Sequence, residues 1–522
     1  MGVLSTLAQP LQPVLLELSA LPTPLYVLIL GSAILVFAVV ANVLQQILLR
    51  DPKKPPVVFH YFPWIGSTVA YGMDPYRFFG DNQKKYGDVF TYVMLGRNMT
   101  VCLGPHGNEM VFNAKLSEVS AEEVYTNLTT PVFGEGVVYD CPNHRLMEQK
   151  KFMKFGLTTE TFRSYVPLIV EQVEDYIKKS PFFKGPKGTA SLSKIIPEIT
   201  IFTASRTLQG KEVRDALNGS FAADLHDLDM GFNPMNFLMP GIPTPGNRRR
   251  DIAQRKMARF YMDVIQRRRE DPEQSKDKSD MVWNLMDRKY KDGTPVTDRD
   301  VAHMMIALLM AGQHTSMATT MWIILHLAHQ PKLLEQLWQE QLSVLGNPPR
   351  PLAYEDLSRL PLHNNVIKEV LRLHPPLHSI MRKVKSPLVV RGTPYTIPST
   401  HYVLAAPGAS ARDSRYFKNP SIFDPSRWET QTNGAADENE EMHDFGFGMI
   451  SKGTQSPYLP FGAGRHRCIG EQFANVQLGT ILATWVRLFE MELPGEFPEV
   501  DYTSMIAMAK APAEVVWRKR DY

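Results

Sequence analysis

The chain has 522 residues, of which 44% are hydrophobic and 21% are charged, and its formal net charge is +3. These values are those of an ordinary globular protein, and so small a net charge gives no reason to expect a nucleic-acid partner. The three cysteines, Cys102, Cys141 and Cys468, are an odd number in a long chain and imply no disulfide framework, so we expect the folded part to lie in a reducing compartment.

An uncharged apolar segment lies near the N-terminus, at residues 24–44. As a helix it is about 31 Å long, which matches the hydrocarbon thickness of a bilayer. We therefore predict a transmembrane helix at 24–44. Arg50, Lys53 and Lys54 follow it, and because cations mark the cytoplasmic side, residues 1–23 should form a lumenal tail. The alternatives are a cleaved signal peptide and a buried core helix.

The rest of the chain has the pattern of one domain. Prolines predict a stiff, extended connector at 45–64, and residues 65–522 contain no interior linker, repeat or second apolar span. We therefore predict a mainly α fold with small β-sheets in a single catalytic domain. Its predicted elements are a helix at 74–86, a hairpin at 89–95 and 98–103, mostly helical structure at 165–310, a long apolar helix at 298–330, strands and turns at 387–400, and a solvated acidic loop at 431–444.

A polar interruption lies within the long apolar helix. Ala311, Gly312, His314 and Thr315 belong to the hexapeptide A-G-Q-H-T-S. Glycine weakens a helix interior, and a threonine hydroxyl can bond the carbonyl four residues earlier and bend the helix. We expect these residues to open a groove for dioxygen and a water, with Ala311 and Thr315 on one face. A helix with ordinary polar interruptions is the alternative.

A charged pair follows in a second predicted helix. Glu369 and Arg372 are three residues apart and therefore share a helical face, and Pro375 must end that helix. Such a pair is usually exposed to solvent and contributes little stability. Arg427 follows within F-D-P-S-R-W, before the cysteine-containing segment described next.

The most informative segment is F-G-A-G-R-H-R-C-I-G at 461–470. Its glycines let the backbone approach a flat ligand closely. Arg465 and Arg467 favour the thiolate of Cys468, and a helix after Gly470 should lower the pKa of that thiol further. A thiolate suits haem iron, where it favours cleavage of the O–O bond. The alternative is a loop with a buried, inert cysteine.

Together these segments resemble the haem-thiolate monooxygenases, the cytochrome P-450 superfamily. By that resemblance Cys468 is the axial iron ligand, and Glu369, Arg372 and Arg427 form a structural network that supports the cysteine loop. Ala463 stands where many members have glycine, which costs little unless the position needs a positive φ. The resemblance implies the fold of that superfamily behind the N-terminal transmembrane helix.

Longer segments of the sequence indicate one family within this superfamily. His314 replaces the acid that most haem-thiolate monooxygenases carry before the active-site threonine. The chain resembles the fungal sterol 14α-demethylases over nearly its whole length, from residue 55 to residue 520. The segments that carry this resemblance are A-G-Q-H-T-S, Y-T-N-L-T-T-P-V-F-G at 125–134, V-Y-D-C-P-N at 138–143, G-F-N-P-M-N-F at 231–237 and H-S-I-M-R at 378–382.

The resemblance also implies roles for individual residues. Hydroxyl and cationic side chains would hold the haem propionates, as carboxylates require; these are Tyr125, Tyr139, Lys150, Arg382 and His466. Mostly apolar side chains would line the channel for a rigid, flat substrate with one hydroxyl; these are Tyr71, Leu128, Thr129, Phe133, Phe232, Ala311, Leu377, Ile380 and Met505. Taken singly, each of these residues could equally be a surface charge or a core residue.

The implied activity is an oxidative demethylation. The enzyme would remove the 14α-methyl group of lanosterol or eburicol as formate, in three rounds that use O2 and NADPH, within ergosterol biosynthesis. His314 and Thr315 would be catalytic and deliver protons during dioxygen activation. Haem b would be the cofactor, and a separate NADPH–haemoprotein reductase would dock near Arg465 and Arg467. The resemblance further implies the endoplasmic reticulum membrane, a cytosolic catalytic domain and inhibition by azoles.

Two alternative functions remain open from the sequence. One is a broad-range monooxygenase of the same superfamily that oxidises drugs or alkanes. The other is a non-catalytic haem protein that senses or transports a ligand, although Thr315 is not needed for such a role.

Overall fold

The computed structural model describes residues 22–217, 219–239, 241–271, 280–429, 453–503 and 505–521. The acidic run at 431–444 and most of the predicted N-terminal tail lie outside the described residues. The helices are α1 (Thr23–Leu48), α2 (Thr68–Met73), α3 (Pro75–Tyr86), α4 (Gly104–Asn113), α5 (Glu122–Phe133), α6 (Asn143–Phe155), α7 (Thr159–Lys179), α8 (Leu192–Ala204), α9 (Lys211–Ala216), α10 (Gly219–Asp229), α11 (Pro234–Leu238), α12 (Pro245–Glu270), α13 (Met281–Met286), α14 (Asp298–His329), α15 (Pro331–Leu345), α16 (Tyr354–Leu357), α17 (Pro361–Leu373), α18 (Pro407–Ser410) and α19 (Glu471–Leu488).

Short strands form four small sheets. The largest has the order β1-β2-β8-β5-β3, a second has the order β4-β12-β9, and β6-β7 and β10-β11 are two-stranded. The strands are β1 (Val89–Met94), β2 (Arg97–Cys102), β3 (Val119–Ser120), β4 (Lys187–Ser191), β5 (Ile380–Val384), β6 (Leu388–Val389), β7 (Thr396–Ile397), β8 (Tyr402–Ala405), β9 (Phe489–Glu492), β10 (Val500–Asp501), β11 (Met508–Ala509) and β12 (Glu514–Lys519).

The long helix α14 forms the centre of the fold. It begins with a capping box, in which the Thr297 hydroxyl and the Asp300 carboxylate each accept a backbone N–H of the other residue. Most of its side chains are buried, and it packs against α8, α12 and α19. Its Ser316 hydroxyl donates to Gln477 of α19 at 2.8 Å, and Gln477 donates to Thr203 of α8 at 2.8 Å. These buried hydrogen bonds fix the register of the three helices.

Helix α1 lies apart from this core. It is the one helix in the described part of the chain that is long and apolar enough to cross a membrane, with a mean hydropathy of 2.7. None of its residues is buried. The alternative of a buried core helix is therefore wrong.

The connector after α1 is tied back to that helix. Gln46 donates to the His60 carbonyl at 2.7 Å and accepts the His60 backbone N–H at 3.1 Å. Asn42 also donates to the His60 carbonyl, at 2.9 Å. These hydrogen bonds supplement the stiffness that the prolines give to the connector.

The predicted fold class is confirmed, since the structure is mainly helical with small sheets. The predicted helix at 74–86 is α3, and Asp74 caps it by accepting the Arg77 backbone N–H. The predicted hairpin is the antiparallel pair β1–β2. One strand interrupts the predicted helical stretch at 165–310: β4 pairs with β12 near the end of the chain.

Candidate functional site

The cysteine loop lies between β8 and α19 and is shaped by its glycines. Gly462 and Gly464 have φ of +68° and +64°, a region that favours glycine. A Cβ on Gly464 would also lie 2.4 Å from the Phe112 carbonyl oxygen. Ala463 has an extended φ of −149°, which explains why an alanine is accepted there. The Cys468 N–H donates to the Phe461 carbonyl at 3.0 Å and closes the loop.

Protein atoms surround Cys468 on nearly all sides, but part of the residue is accessible to solvent. The thiol therefore faces an internal space. Burial raises its pKa, although the Gly470 N–H, Lys150 and Arg467 act in the opposite direction. The expected lowering of this pKa is therefore wrong for the protein alone. Arg467 lowers the pKa of Cys468 only a little, because its guanidinium forms an ion pair, at 2.8 Å, with Glu471, the first residue of α19.

The middle of α14 also borders an internal space. Ala311 is exposed although the helix around it is buried, and Leu308, Gly312 and Thr315 on the same face are partly exposed. The Thr315 hydroxyl donates to the Ala311 carbonyl at 2.8 Å. This is the expected bond to the carbonyl four residues earlier, and it lies on the face that borders the space.

His314 has a partner that the sequence did not predict. Its Nε2 lies 2.7 Å from Oδ1 of Asp229, the last residue of α10. Both side chains are partly exposed. The pair is therefore a connected donor and acceptor at the edge of the groove, and it can hold a proton next to Thr315.

Four of the five predicted propionate ligands form one cluster. The rings of Tyr125 and Tyr139 lie 5.1 Å apart, and those of Tyr139 and His466 lie 6.2 Å apart. Burial lowers the pKa of His466 to about 3, with Arg382 and Lys150 acting in the same direction, so His466 is neutral at physiological pH. Burial raises the pKa of Tyr139 to about 12, so its hydroxyl is a proton donor.

Arg382 is the cation of this cluster, and only 3% of its surface is exposed. It donates to the Met381 carbonyl at 2.7 Å, and no ion pair between described residues includes it. Buried charges are normally paired, so an anion is needed beside Arg382. The Tyr125 hydroxyl accepts the Met381 N–H at 2.9 Å, which leaves its own proton free to donate to such an anion.

Lys150 of α6 makes contacts with the cysteine loop that the sequence did not predict. Its ammonium group donates to the carbonyls of Arg465 and Arg467, at 3.0 and 2.8 Å. Burial lowers its pKa. Two of its three N–H groups thus hold the cysteine loop, and one remains for an anion.

The acid of the charged pair in α17 is fully buried. Glu369 accepts hydrogen bonds from Arg372 at 2.9 and 2.8 Å and from Arg427 at 2.9 Å. The Trp428 indole, which sequence reasoning missed, donates to the same carboxylate at 3.0 Å. Arg372 also donates to the carbonyls of Ala411, Pro420 and Ile422. The network therefore fastens the segment before the cysteine loop to α17.

The predicted channel residues come from several elements. Phe133 of α5 and Phe232 pack with ring centroids 5.4 Å apart, and the Tyr71 hydroxyl lies 3.4 Å from the Ser379 hydroxyl. Ile380 reaches the cysteine loop, 3.5 Å from where a Cβ on Gly462 would stand. Leu128 and Thr129 are buried, whereas Leu377 is exposed and Met505 is partly buried. The backbone N–H of Ala507, two residues after Met505, donates to the Pro376 carbonyl and so brings this segment close to Leu377.

This donor set fits a haem. The enclosed thiol of Cys468 could supply an iron ligand, and the buried Arg382 with the neighbouring tyrosines could supply donors for carboxylates. The apolar groove along α14 would cover one face of a flat ring. Within the described residues, no group of three or more His, Cys, Asp and Glu side chains could hold a metal ion.

Comparison with known proteins agrees with this geometry. The family model "Cytochrome P450" matches residues 52–517. The chain is 55% identical to eburicol 14-alpha-demethylase of Uncinula necator, across 94% of this chain and 95% of that protein. It is 53% identical to a sterol 14-alpha demethylase of Gibberella zeae, across 100% of both chains. The retinoic-acid-bound cyanobacterial CYP120A1 shares the fold, with a TM-score of 0.74, 20% identity and coverage of 90% of this chain and 100% of that chain.

Proposed function

Because this chain belongs to the cytochrome P450 family, we propose that it removes the 14α-methyl group of a sterol precursor, lanosterol or eburicol, as formate. The observation that carries the proposal is identity above 50% to sterol and eburicol demethylases along the whole chain. The methyl group passes through alcohol and aldehyde stages in three successive oxidations. Analysis of the sterols and formate produced from lanosterol and eburicol tests this function.

The cofactor site follows from the donor set. Thiolate-ligated haem iron, when bound through Cys468, supplies dioxygen activation with electrons derived from NADPH. Arg382, Tyr125 and Tyr139 donate to the haem carboxylates, and His466 adds a neutral ring nitrogen. Lys150 holds the cysteine loop by two carbonyls and donates its third N–H to a carboxylate.

Proton delivery is assigned to groups on one side of α14. Asp229 holds His314 by a 2.7 Å hydrogen bond, and His314 precedes Thr315 in the helix. The two nitrogens of a histidine ring can each donate or accept a proton, so His314 can take a proton from solvent and pass one on. The Thr315 hydroxyl, anchored on the Ala311 carbonyl, would then orient a water in the groove.

Substrate recognition is assigned to the nine predicted channel residues. They present aromatic and aliphatic surface with few polar groups, which suits a rigid apolar ring system. Compounds with an azole nitrogen would compete for the same space, because they combine an iron ligand with apolar bulk. A broad-range monooxygenase would show similar difference spectra for drugs, alkanes and sterols. We instead expect saturable spectra for lanosterol and eburicol at much lower concentrations than for drugs or alkanes.

The second alternative is a non-catalytic haem protein. Sterol turnover in the presence of reductase and NADPH would exclude it.

Replacing Tyr139 with phenylalanine should loosen the haem pocket without emptying it. The change deletes one hydroxyl donor, and a hydrogen bond to a charged group contributes about 1.5–3 kcal/mol. Arg382 and Tyr125 remain, so haem content should stay near that of the wild type while azole and sterol affinities fall. Titration of the difference spectra measures these affinities. If affinities and turnover equal those of the wild type, Tyr139 does not serve the cofactor.

The membrane arrangement is a single span. Helix α1 would cross the endoplasmic reticulum membrane with residues 1–23 lumenal and the catalytic domain, from residue 65 onward, cytosolic, since Arg50, Lys53 and Lys54 follow the span. The reductase would dock on the face that carries Arg465 and Arg467. Glycosylation sites engineered into residues 1–23 and protease protection of microsomes test this topology.

Deletion of residues 1–49 should leave a folded haem domain, because α1 buries no residue against the rest of the protein. Exposed apolar residues near the connector, among them Trp64, Val69 and Met73, should still give weak binding to lipid vesicles. Vesicle co-sedimentation and the carbon monoxide difference spectrum measure both properties. A haem-free, unfolded product would show instead that the span belongs to the core.

A further inference from the structure

The segment between α5 and α6 contains a strained residue. Val138 has φ of +55°, and among the described residues it is the only β-branched one with a positive φ. A β-branched side chain is unfavourable in this region, so other contacts must hold the backbone there. Its neighbour Tyr139 is one of the proposed cofactor ligands.

Two side chains contact the Val138 backbone: Gln149 of α6, which is only 1% exposed, at its N–H, and the Cys141 thiol, which lies 3.4 Å from its carbonyl. The Gln149 Oε1 accepts the Val138 N–H at 3.3 Å, and its Nε2 donates to the Gly136 carbonyl at 2.9 Å and to the Tyr290 hydroxyl at 3.1 Å. The Cys141 thiol lies 3.8 Å from the same Oε1. All the hydrogen-bonding capacity of the amide is used, and a reversed amide would set two donors against each other.

Other side chains also hold the segment, two of them from α5. The Asp140 carboxylate accepts the Thr130 hydroxyl at 2.9 Å and the Gly136 N–H at 2.8 Å. The Thr126 hydroxyl shares its proton between the Tyr139 and Glu122 carbonyls, each at 2.7 Å. Loss of the Gln149 contacts would therefore change the backbone at Val138 locally, and the ring of the next residue would turn with it.

We propose that Gln149 is a positioning residue: it holds Val138 in the left-handed conformation and thereby aims the Tyr139 hydroxyl at the haem carboxylates. The inference rests on the cofactor role proposed for Tyr139. Adjacent residues of α6 then serve the two segments of the haem site, since Gln149 holds the tyrosine segment and Lys150 holds the cysteine loop.

The test uses the full-length holoprotein and the rate of haem transfer to excess apomyoglobin. Gln149→Met keeps the length of the side chain but removes its hydrogen bonds, and transfer should become about 10-fold faster, the effect of losing one hydrogen bond to a charged group. Amide hydrogen exchange at residues 136–141 should rise in the same variant. Tyr139→Phe added to Gln149→Met should give little further increase, because both changes remove the same contact.

Rescue distinguishes positioning from a general loss of structure. Val138→Gly added to Gln149→Met should slow haem transfer again, because glycine adopts a positive φ without strain. The matched control is Gln341→Met: Gln341 is an equally buried amide, bonded to His363 and the Ala483 carbonyl and in no contact with the proposed haem ligands. It should lower thermal stability but leave haem transfer within twofold of the wild type.

Two results would overturn the proposal: haem transfer in Gln149→Met no faster than in the Gln341 control, or no rescue by Val138→Gly. If Gln149→Met does not fold, Gln149→Asn remains decisive: its shorter amide cannot reach the Val138 N–H and the Gly136 carbonyl together, so haem transfer should again become faster, and a rate within twofold of the wild type would contradict the proposal. Unchanged haem transfer in Tyr139→Phe, with faster exchange in Gln149→Met, would instead refute the cofactor role of Tyr139. None of these measurements depends on sterol turnover, so a failure of the demethylase assignment would be seen separately.

Discussion

Cys468→Ser should abolish turnover and the carbon monoxide difference band that marks thiolate ligation of haem iron. Serine is nearly the same size, so the loop should keep its shape, including the Cys468 N–H bond to the Phe461 carbonyl. A serine hydroxyl, however, stays protonated where a thiol can ionise, so it cannot supply the electron density that favours O–O cleavage. We expect haem to bind more weakly and the spectrum to lose its thiolate signature.

Cys141→Ser is the matched control for this experiment. Cys141 follows Tyr139 by two residues, and its thiol lies 3.4 Å from the Val138 carbonyl, a contact that a serine hydroxyl can keep. The control should retain the thiolate band and most of the turnover. A thiolate band that persists in Cys468→Ser but disappears in Cys141→Ser would move the iron ligand to Cys141.

His314→Ala should lower turnover by roughly 10²-fold, the low end for a positioned acid–base group. The thiolate spectrum and sterol binding should remain, because His314 lies on the rim of the groove and is partly exposed. Without proton delivery the consumed reducing equivalents should leave as hydrogen peroxide. The measurement is formate released per NADPH oxidised, which should fall sharply.

Four further variants test this interpretation. Thr315→Ala should reduce the ratio in the same direction, and the double variant should be little worse than the poorer single one, since groups in one relay are not additive. Asp229→Asn keeps the shape of the partner but removes its charge, so it should show a smaller loss. His329→Ala, at the exposed end of the same helix, is the control and should change nothing. An unchanged ratio in His314→Ala would make His314 a packing residue.

The sequence sufficed where chemistry is encoded by neighbouring residues. The cysteine loop, the helix that follows it, the spacing of Glu369 and Arg372, and the Thr315 hydroxyl bond all depend on contacts within a few residues. The same holds for the long apolar helix α1, because length and uniform apolarity mark it as a candidate membrane span without any tertiary information.

The features that the sequence did not predict depend on residues far apart in the chain. Asp229 meets His314 across 85 residues, and Trp428 meets Glu369 across 59. No local pattern marks either partner. The raised pKa of Cys468 has a related cause, since flanking cations are visible in the sequence, whereas burial and the Arg467–Glu471 pair are not.

The central claim is tested most directly by product analysis with the purified full-length protein, its reductase and NADPH. Lanosterol and eburicol are supplied in parallel, and sterols and formate are quantified over time. We expect a 14-demethylated sterol and formate in equal amounts, with about three NADPH oxidised for each, and alcohol and aldehyde forms as transient species. Hydroxylation at other carbons without formate, from both sterols, would contradict the claim and indicate a broad-range monooxygenase.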